Sequence, residues 1–145
     1  MSTYNESNTL LYLEFLDMHE FTGEVIKLMD DQLSKFLYEN SRDNFIMMYA
    51  DHGFHMRGLV YMFDADDYDY ELALPMLFMT KPPIEQKYRD MLKENEQRLV
   101  YAIDIHNFHK FLATGQVLKN ETNLVGEIPK NRTCEDIDSD ICQCF

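Results

Sequence analysis

The chain has 145 residues, 46% of them apolar, and a formal net charge of −13. That apolar share excludes a disordered chain, and the length suffices for one domain with a real core. The acid excess leaves no basic surface to neutralise nucleic-acid phosphates, it disfavours anionic membranes, and no apolar run is long enough to span a bilayer.

In chain order, the first twenty residues carry no basic segment of the kind that opens a signal peptide. Leu10–Leu16 reads as a first strand, closed by Asp17-Met18-His19-Glu20. Thr22 is expected to cap a helix over residues 23–39, with Val25, Ile26, Met29, Leu33, Phe36 and Leu37 forming its buried stripe. Residues 40–44 are a polar loop. Residues 45–50, Phe-Ile-Met-Met-Tyr-Ala, contain no charge and read as a strand buried on both faces. Strand, helix and strand in this order predict a right-handed βαβ unit, with both strand ends on one edge of a parallel sheet.

Residues 54–73 are expected to form an irregular acidic loop. Asp64 to Asp69 resembles a calcium loop in composition only. The sixth position is Asp69 instead of glycine, and the twelfth is Pro75 instead of glutamate. Leu74–Met79 reads as a third strand, stopped by Lys81-Pro82-Pro83. Residues 84–99 are polar and helical in pattern. Asp104 is expected to cap a last helix whose apolar positions are Ile105, Phe108, Phe111 and Leu112, with Gly115 at its C-terminal end. From Lys119 onward the sequence predicts an extended tail with little core. The expected organisation is therefore an α/β domain over residues 1–118 and a cysteine-containing tail over 119–145.

The chemistry gathers at Asp51-His52-Gly53, straight after the second strand. Ligands in open α/β sheets collect at the carboxyl ends of strands. An adjacent carboxylate and imidazole there suit a divalent metal, zinc or calcium, that in turn binds a phosphate or sulfate ester. The bland alternative is a strand-ending turn in which Asp51 bonds backbone amides. Asp17 and His19 end the neighbouring strand, so four metal-type ligands are expected to converge. Arg57 can grip an ester's anion, or be an ordinary surface arginine. His55 is expected to face solvent, and His106 and His109 to lie on a helix face.

Cys134, Cys142 and Cys144 crowd the last twelve residues, which reads as a disulfide tail with one thiol left over. The expected bond joins Cys134 to Cys142 or Cys144. Sequons at Asn5, Asn120 and Asn131 permit glycosylation in a lumenal chain, with Asn120 or Asn131 the expected sites. An oxidising tail without a signal peptide leads to the expectation that the complete protein begins upstream of Met1 and is extracellular or lumenal.

Six segments, in order over about residues 11 to 144, resemble one family. Asp17-Met18-His19-Glu20-Phe21-Thr22-Gly23 is similar to its D-x-H-E-x-T-G segment, and Asp30 to Leu37 to its D-x-x-L-x-x-F-L helix. Asp51-His52-Gly53 is similar to the end of its S-D-H-G, Leu74 to Phe78 to L-P-L-L-F, and Asp104-Ile105-His106 to D-I-H. Glu127-Ile128-Pro129 with Arg132-Thr133-Cys134 resembles E-I-P-x-x-R-T-C. The family is an uncharacterised branch of sulfatase-like proteins in the alkaline-phosphatase superfamily. The resemblance implies the C-terminal half of a doubly wound, mostly parallel-sheet α/β domain that uses divalent metals on sulfate or phosphate esters. It implies a metal role for Asp51 and His52, and further ligand roles for Asp17 and His19.

Three departures stand out. Ala50 replaces the family's serine, the loop after Gly53 differs from its R-x-G region, with Arg57-Gly58 the nearest match, and its nucleophile and first metal aspartate belong to an N-terminal half outside these segments. The expected function is thus part of a secreted, metal-dependent hydrolase acting on an anionic ester such as a sulfated glycan or a phosphate ester, inactive without the nucleophile half. The alternatives are a non-catalytic relative that binds an anionic glycan or protein partner, and an acidic intracellular protein with a coincidental Asp-His.

Overall fold

Phe108 and Phe111, three residues apart on one helix, are 0% and 4% exposed, and the rest of the core is built around them. The computed structural model describes residues 9–16, 19, 22, 24–53, 75–119 and 121–137. In chain order these hold α1 (Val25–Asn40), β1 (Met47–Tyr49), β2 (Leu77–Met79), α2 (Gln86–Asn95), α3 (Ala102–Thr114) and a 3-10 turn (Cys134–Ile137). No helix among the described residues is long and apolar enough to cross a membrane.

α3 is closed at both ends by features visible in its sequence. At its start the Tyr101 amide donates to Asp104 Oδ2 at 2.8 Å. Asp104 therefore sits in the first turn and reaches back, where the sequence reading put it at the cap itself. At its end Gly115 adopts φ 71°, a left-handed conformation that glycine enters without steric cost. Its amide donates to the Phe111 carbonyl at 2.7 Å. The buried face carries Phe108 and Phe111, with Ile105 and Leu112 packed beside them. Phe45 meets Phe108 edge-on at 6.3 Å between ring centroids, and Tyr88 of α2 meets Phe111 at 4.8 Å. Truncating Phe108 to alanine at such a site costs about 3–5 kcal/mol.

β1 and β2 pair antiparallel, with Met47 opposite Met79 and Tyr49 opposite Leu77. The pairing continues past the strand ends through Ala50 N to Met76 O at 3.1 Å and Thr80 N to Ile46 O at 2.9 Å. Thr80 Oγ1 also accepts from the Ile46 amide at 2.8 Å. Met47, Leu77 and Met79 lie against the core on one face of this ribbon. The run 45–50 is not buried on both faces: residues 45–48 are half-buried, and Tyr49 and Ala50 are exposed. A two-stranded ribbon has only one face to bury, and this one turns that face to α3.

The sequence reading differs from the structure at three further places. Leu10–Leu16 forms no strand and is exposed along its length, with Leu10 at 93%. No described strand lies beside it to complete a ladder, so the expected parallel pairing with β1 is not formed among the described residues. α1 begins at Val25 and has Glu24 as its cap residue, while Thr22 accepts the Glu24 amide at 3.2 Å just outside the helix. Its apolar stripe is in the expected register, yet Val25, Met29, Leu33 and Leu37 are only half-buried, and Ile26 and Phe36 are exposed.

The third difference is the tail. Leu124, Val125, Ile128 and Ile137 are buried, so the segment after Lys119 contributes to the core instead of trailing from it. Three buried asparagine side chains explain how so polar a stretch is held. Asn95, at the end of α2, donates to the Leu124 and Gly126 carbonyls at 2.9 and 2.7 Å and accepts the Ile128 amide at 3.3 Å. Asn107 of α3 donates to the Thr122 carbonyl at 2.8 Å. Asn123 returns a bond to the Asn107 carbonyl at 3.0 Å and accepts the Val125 amide at 3.2 Å. An irregular segment can enter a core only when its backbone groups find such partners.

Candidate metal centre

The hydrogen bond from Ala50 N to Met76 O fixes the chain up to the edge of the ribbon, and Asp51 is the first residue beyond it. Three interactions then order the Asp51-His52-Gly53 turn. Asp51 Oδ1 accepts the His52 amide at 3.1 Å. His52 Nδ1 lies 2.7 Å from the Gly53 carbonyl, which selects the tautomer that donates from Nδ1 and carries the lone pair on Nε2. Nε2 in turn faces Asp51 Oδ2 at 3.6 Å. The Asp51 side chain is 89% exposed and that of His52 36%, so the pair opens to solvent.

His19 is the one residue of the expected first-strand site within the described residues, and it stands beside this pair. Its ring is 6.5 Å from that of His52, centroid to centroid, in an edge-on arrangement at 71°. The His19 amide donates to the Leu16 carbonyl at 2.9 Å. Asp17, Arg57 and His55 lie outside the described residues. Among the described residues no three His, Cys, Asp or Glu side chains are gathered closely enough to hold a metal together. Donor chemistry nevertheless suits one at the Asp51–His52 pair. Two ligand atoms on a tetrahedral zinc lie about 3.3 Å apart, close to the 3.6 Å between Nε2 and Oδ2. The Nδ1 bond to a backbone carbonyl is the support that metal-binding histidines ordinarily use.

The other expected residues are scattered. His106 is exposed on α3. His109 meets the Tyr49 ring at 5.8 Å, and burial, with His106 nearby, lowers its pKa below the ordinary 6.5. Tyr49 is two residues before Asp51, so this imidazole, expected only on a helix face, flanks the end of the ribbon; a helix-face histidine carries no pattern that names its neighbour. Cys134 opens the 3-10 turn and is disulfide-bonded. Cys142, Cys144, Asn5 and Asn120 lie outside the described residues, and Asn131 is exposed in a turn.

A second polar cluster was not anticipated. Asp104 is fully buried and takes the Arg132 guanidinium on Oδ2 at 2.6 Å, and Arg132 also donates to the Leu99 carbonyl at 3.2 Å. Among the described residues Asp104 Oδ1 has no hydrogen-bond partner. This pair joins the start of α3 to the segment before the 3-10 turn. Both residues fall within segments singled out above, Asp104-Ile105-His106 and Arg132-Thr133-Cys134, but nothing in their spacing signals that they meet.

Comparison of the chain with family models, with curated proteins and with solved structures finds no match.

Proposed function

We propose that this chain supplies metal ligands to a sulfatase-like hydrolase that acts on sulfate or phosphate esters, such as a sulfated glycan. The observation that supports it is the Nε2–Oδ2 separation of 3.6 Å in a His52 whose Nδ1 is already engaged by Gly53 O. Asp51 and His52 would hold the ion. His19 becomes a further ligand if its ring closes on His52 by about 1.5 Å, since two imidazoles on one zinc place their centroids about 5 Å apart. When bound, the metal supplies Lewis acidity to an ester oxygen and a lowered pKa to a nucleophile. The chain's own part is to present a carboxylate and an oriented imidazole at the end of a strand ribbon. On this reading the chain belongs to a doubly wound α/β domain, the nucleophile lies outside the resembling segments, and the protein works outside the cell or in a lumenal compartment. There the Cys134 bond is made to Cys142 or Cys144.

Zinc titration of the purified chain, followed by calorimetry or competition with a chromophoric chelator, tests the ligand assignment. One site is expected, weakened by about tenfold or more in His52→Ala and in Asp51→Ala, as for loss of any ligand or its support. Zinc and calcium binding that is absent, or unchanged in the double variant, overturns the proposal. Ester hydrolysis by the 145-residue chain is expected to stay at background with either metal.

A further inference from the structure

All three residues of one sequon, Asn131-Arg132-Thr133, are described, and two of them have their side chains tied into the fold. The Arg132 side chain is 6% exposed and bound to buried Asp104. Thr133 donates twice to Asp136 Oδ2, from its amide at 2.7 Å and from its hydroxyl at 3.1 Å. The Asp136 amide completes the cap by donating to the Thr133 carbonyl at 3.1 Å. Disulfide-bonded Cys134 follows at once. Asn131 itself is exposed and borders an open cleft of about 330 Å³ lined by Thr122, Pro129, Arg132 and Asp136.

The residue that defines the sequon is thus also the residue that caps the 3-10 turn. Sequon recognition requires the hydroxyl two positions beyond the asparagine, and in the folded chain that hydroxyl is committed to a carboxylate. Asp136 is held ionised by those two Thr133 bonds, with Arg132 adding to the effect, and its pKa lies below the ordinary 3.8. We propose that Asn131 is a folding-gated glycosylation site, which takes its sugar before Asp136 captures Thr133 and is closed to transfer afterwards.

The proposal rests on the lumenal reading above. In the transfer, the Asn131 side-chain nitrogen forms a bond to the anomeric carbon of a sugar carried on a lipid pyrophosphate. The glycosyl–phosphate bond breaks, the pyrophosphate leaves with the electron pair, and the amide gives up one proton. Once the turn has closed, the cleft beside Asn131 gives the first sugar room without displacing the cap.

The test sends the full chain through the secretory route of a eukaryotic cell behind a signal peptide. Occupancy at Asn131 is read by peptide mass spectrometry as a ratio to occupancy at Asn120. Wild type is expected to be partly occupied at Asn131. Asp136→Ala is expected to raise the ratio by roughly twofold or more, because it removes both Thr133 bonds, which even at an exposed site shift the balance toward the open turn by about severalfold. Full occupancy in wild type, an unchanged ratio, or no glycan at Asn131 in either protein overturns the proposal. If Asp136→Ala loses its helical circular dichroism, Asp136→Asn replaces it. That variant keeps only a neutral acceptor for Thr133, whose bonds are about half as strong, so a smaller rise in the ratio is expected and an unchanged ratio overturns the proposal. Since the signal peptide delivers every variant to the lumen, such results overturn the gating alone. The lumenal reading falls on a different result: three free thiols and bare asparagines in protein isolated from its own host.

Discussion

Asn95→Ala is expected to be among the most damaging single changes in this chain, although it removes no apolar surface. The side chain serves three backbone groups of the segment after α3: the Leu124 and Gly126 carbonyls and the Ile128 amide. Leu124 and Ile128 are 2% and 1% exposed, so two of those groups cannot turn to water when the amide is gone. A buried backbone group left without a partner costs about 1–3 kcal/mol. Two such groups and a third that is half-buried give about 3–5 kcal/mol, a large share of the 5–15 kcal/mol that holds a typical domain. The assay is urea unfolding followed by helical circular dichroism, comparing midpoints at constant slope. Asn95→Asp should do no better, since two carbonyls would then face a carboxylate that has no proton to give. A loss below about 1 kcal/mol in Asn95→Ala, with the slope unchanged, would refute the claim that this amide pins the segment.

Arg132→Ala leaves the Asp104 carboxylate buried without its cation and should cost about 3–5 kcal/mol by the same assay; a change under 1 kcal/mol would show that water reaches Asp104 freely. His109 has a folded pKa lowered by burial, so the unfolded chain takes up a proton first as pH falls through 6.5. Stability is therefore present above that pH and lost below it, down to the folded pKa, and His109→Gln should flatten the fall in melting temperature between pH 7 and pH 5.5. An identical slope in the variant would assign the acid loss to other groups. Gly115→Ala places a side chain at φ 71° where none of the described residues lies within 4 Å, so backbone strain is what opposes it. The expected cost is about 1 kcal/mol, or roughly 2–4 °C in melting temperature, and a neutral result would mean that the end of α3 rearranges.

The elements that could be read from the sequence are those whose reasons are local. The end of α3 follows from Gly115 and its buried face, with Phe108 and Phe111, from its 3.6-residue pattern, while its start at Ala102 lies ahead of the cap expected at Asp104. β1 and β2 were both recognised from short apolar runs, with β2 beginning two residues beyond Pro75. Their antiparallel pairing was not legible, because an apolar run carries no information about the direction of its partner. α1 shows the limit from the other side. Its stripe has the right period, yet none of its residues is buried, since periodicity reports which face is apolar and not whether anything covers it. The tail was misread for a different reason. Its apolar residues are few, and the asparagines that hold it stand 12 to 28 positions apart along the chain, where no short motif links them. At the candidate site, Asp51 and His52 were found by their place after a strand-like run. His19 stands beside His52 without the expected route to it: Leu10–Leu16 forms no ladder with β1, so the strand–helix–strand order does not account for the approach.

These differences divide the described residues into two parts with different physical character. α2, α3 and the segment from Thr122 to Ile137 are cross-braced by buried asparagines and one buried ion pair, so local opening there must break several bonds together. Asp51, His19 and most of α1 are exposed, and the Asp51–His52 turn follows the ribbon's backbone bond from Ala50 to Met76. A metal bound at that turn would have to order His19 against His52 at a cost in conformational entropy that a braced site does not incur. On the proposed reading, the affinity of this chain for zinc therefore measures how far the turn is prepared by the bonds that Asp51 and Gly53 make to His52. A covering surface over the exposed Leu10–Leu16 would raise that affinity without adding a ligand, because it would fix the approach of His19 in advance.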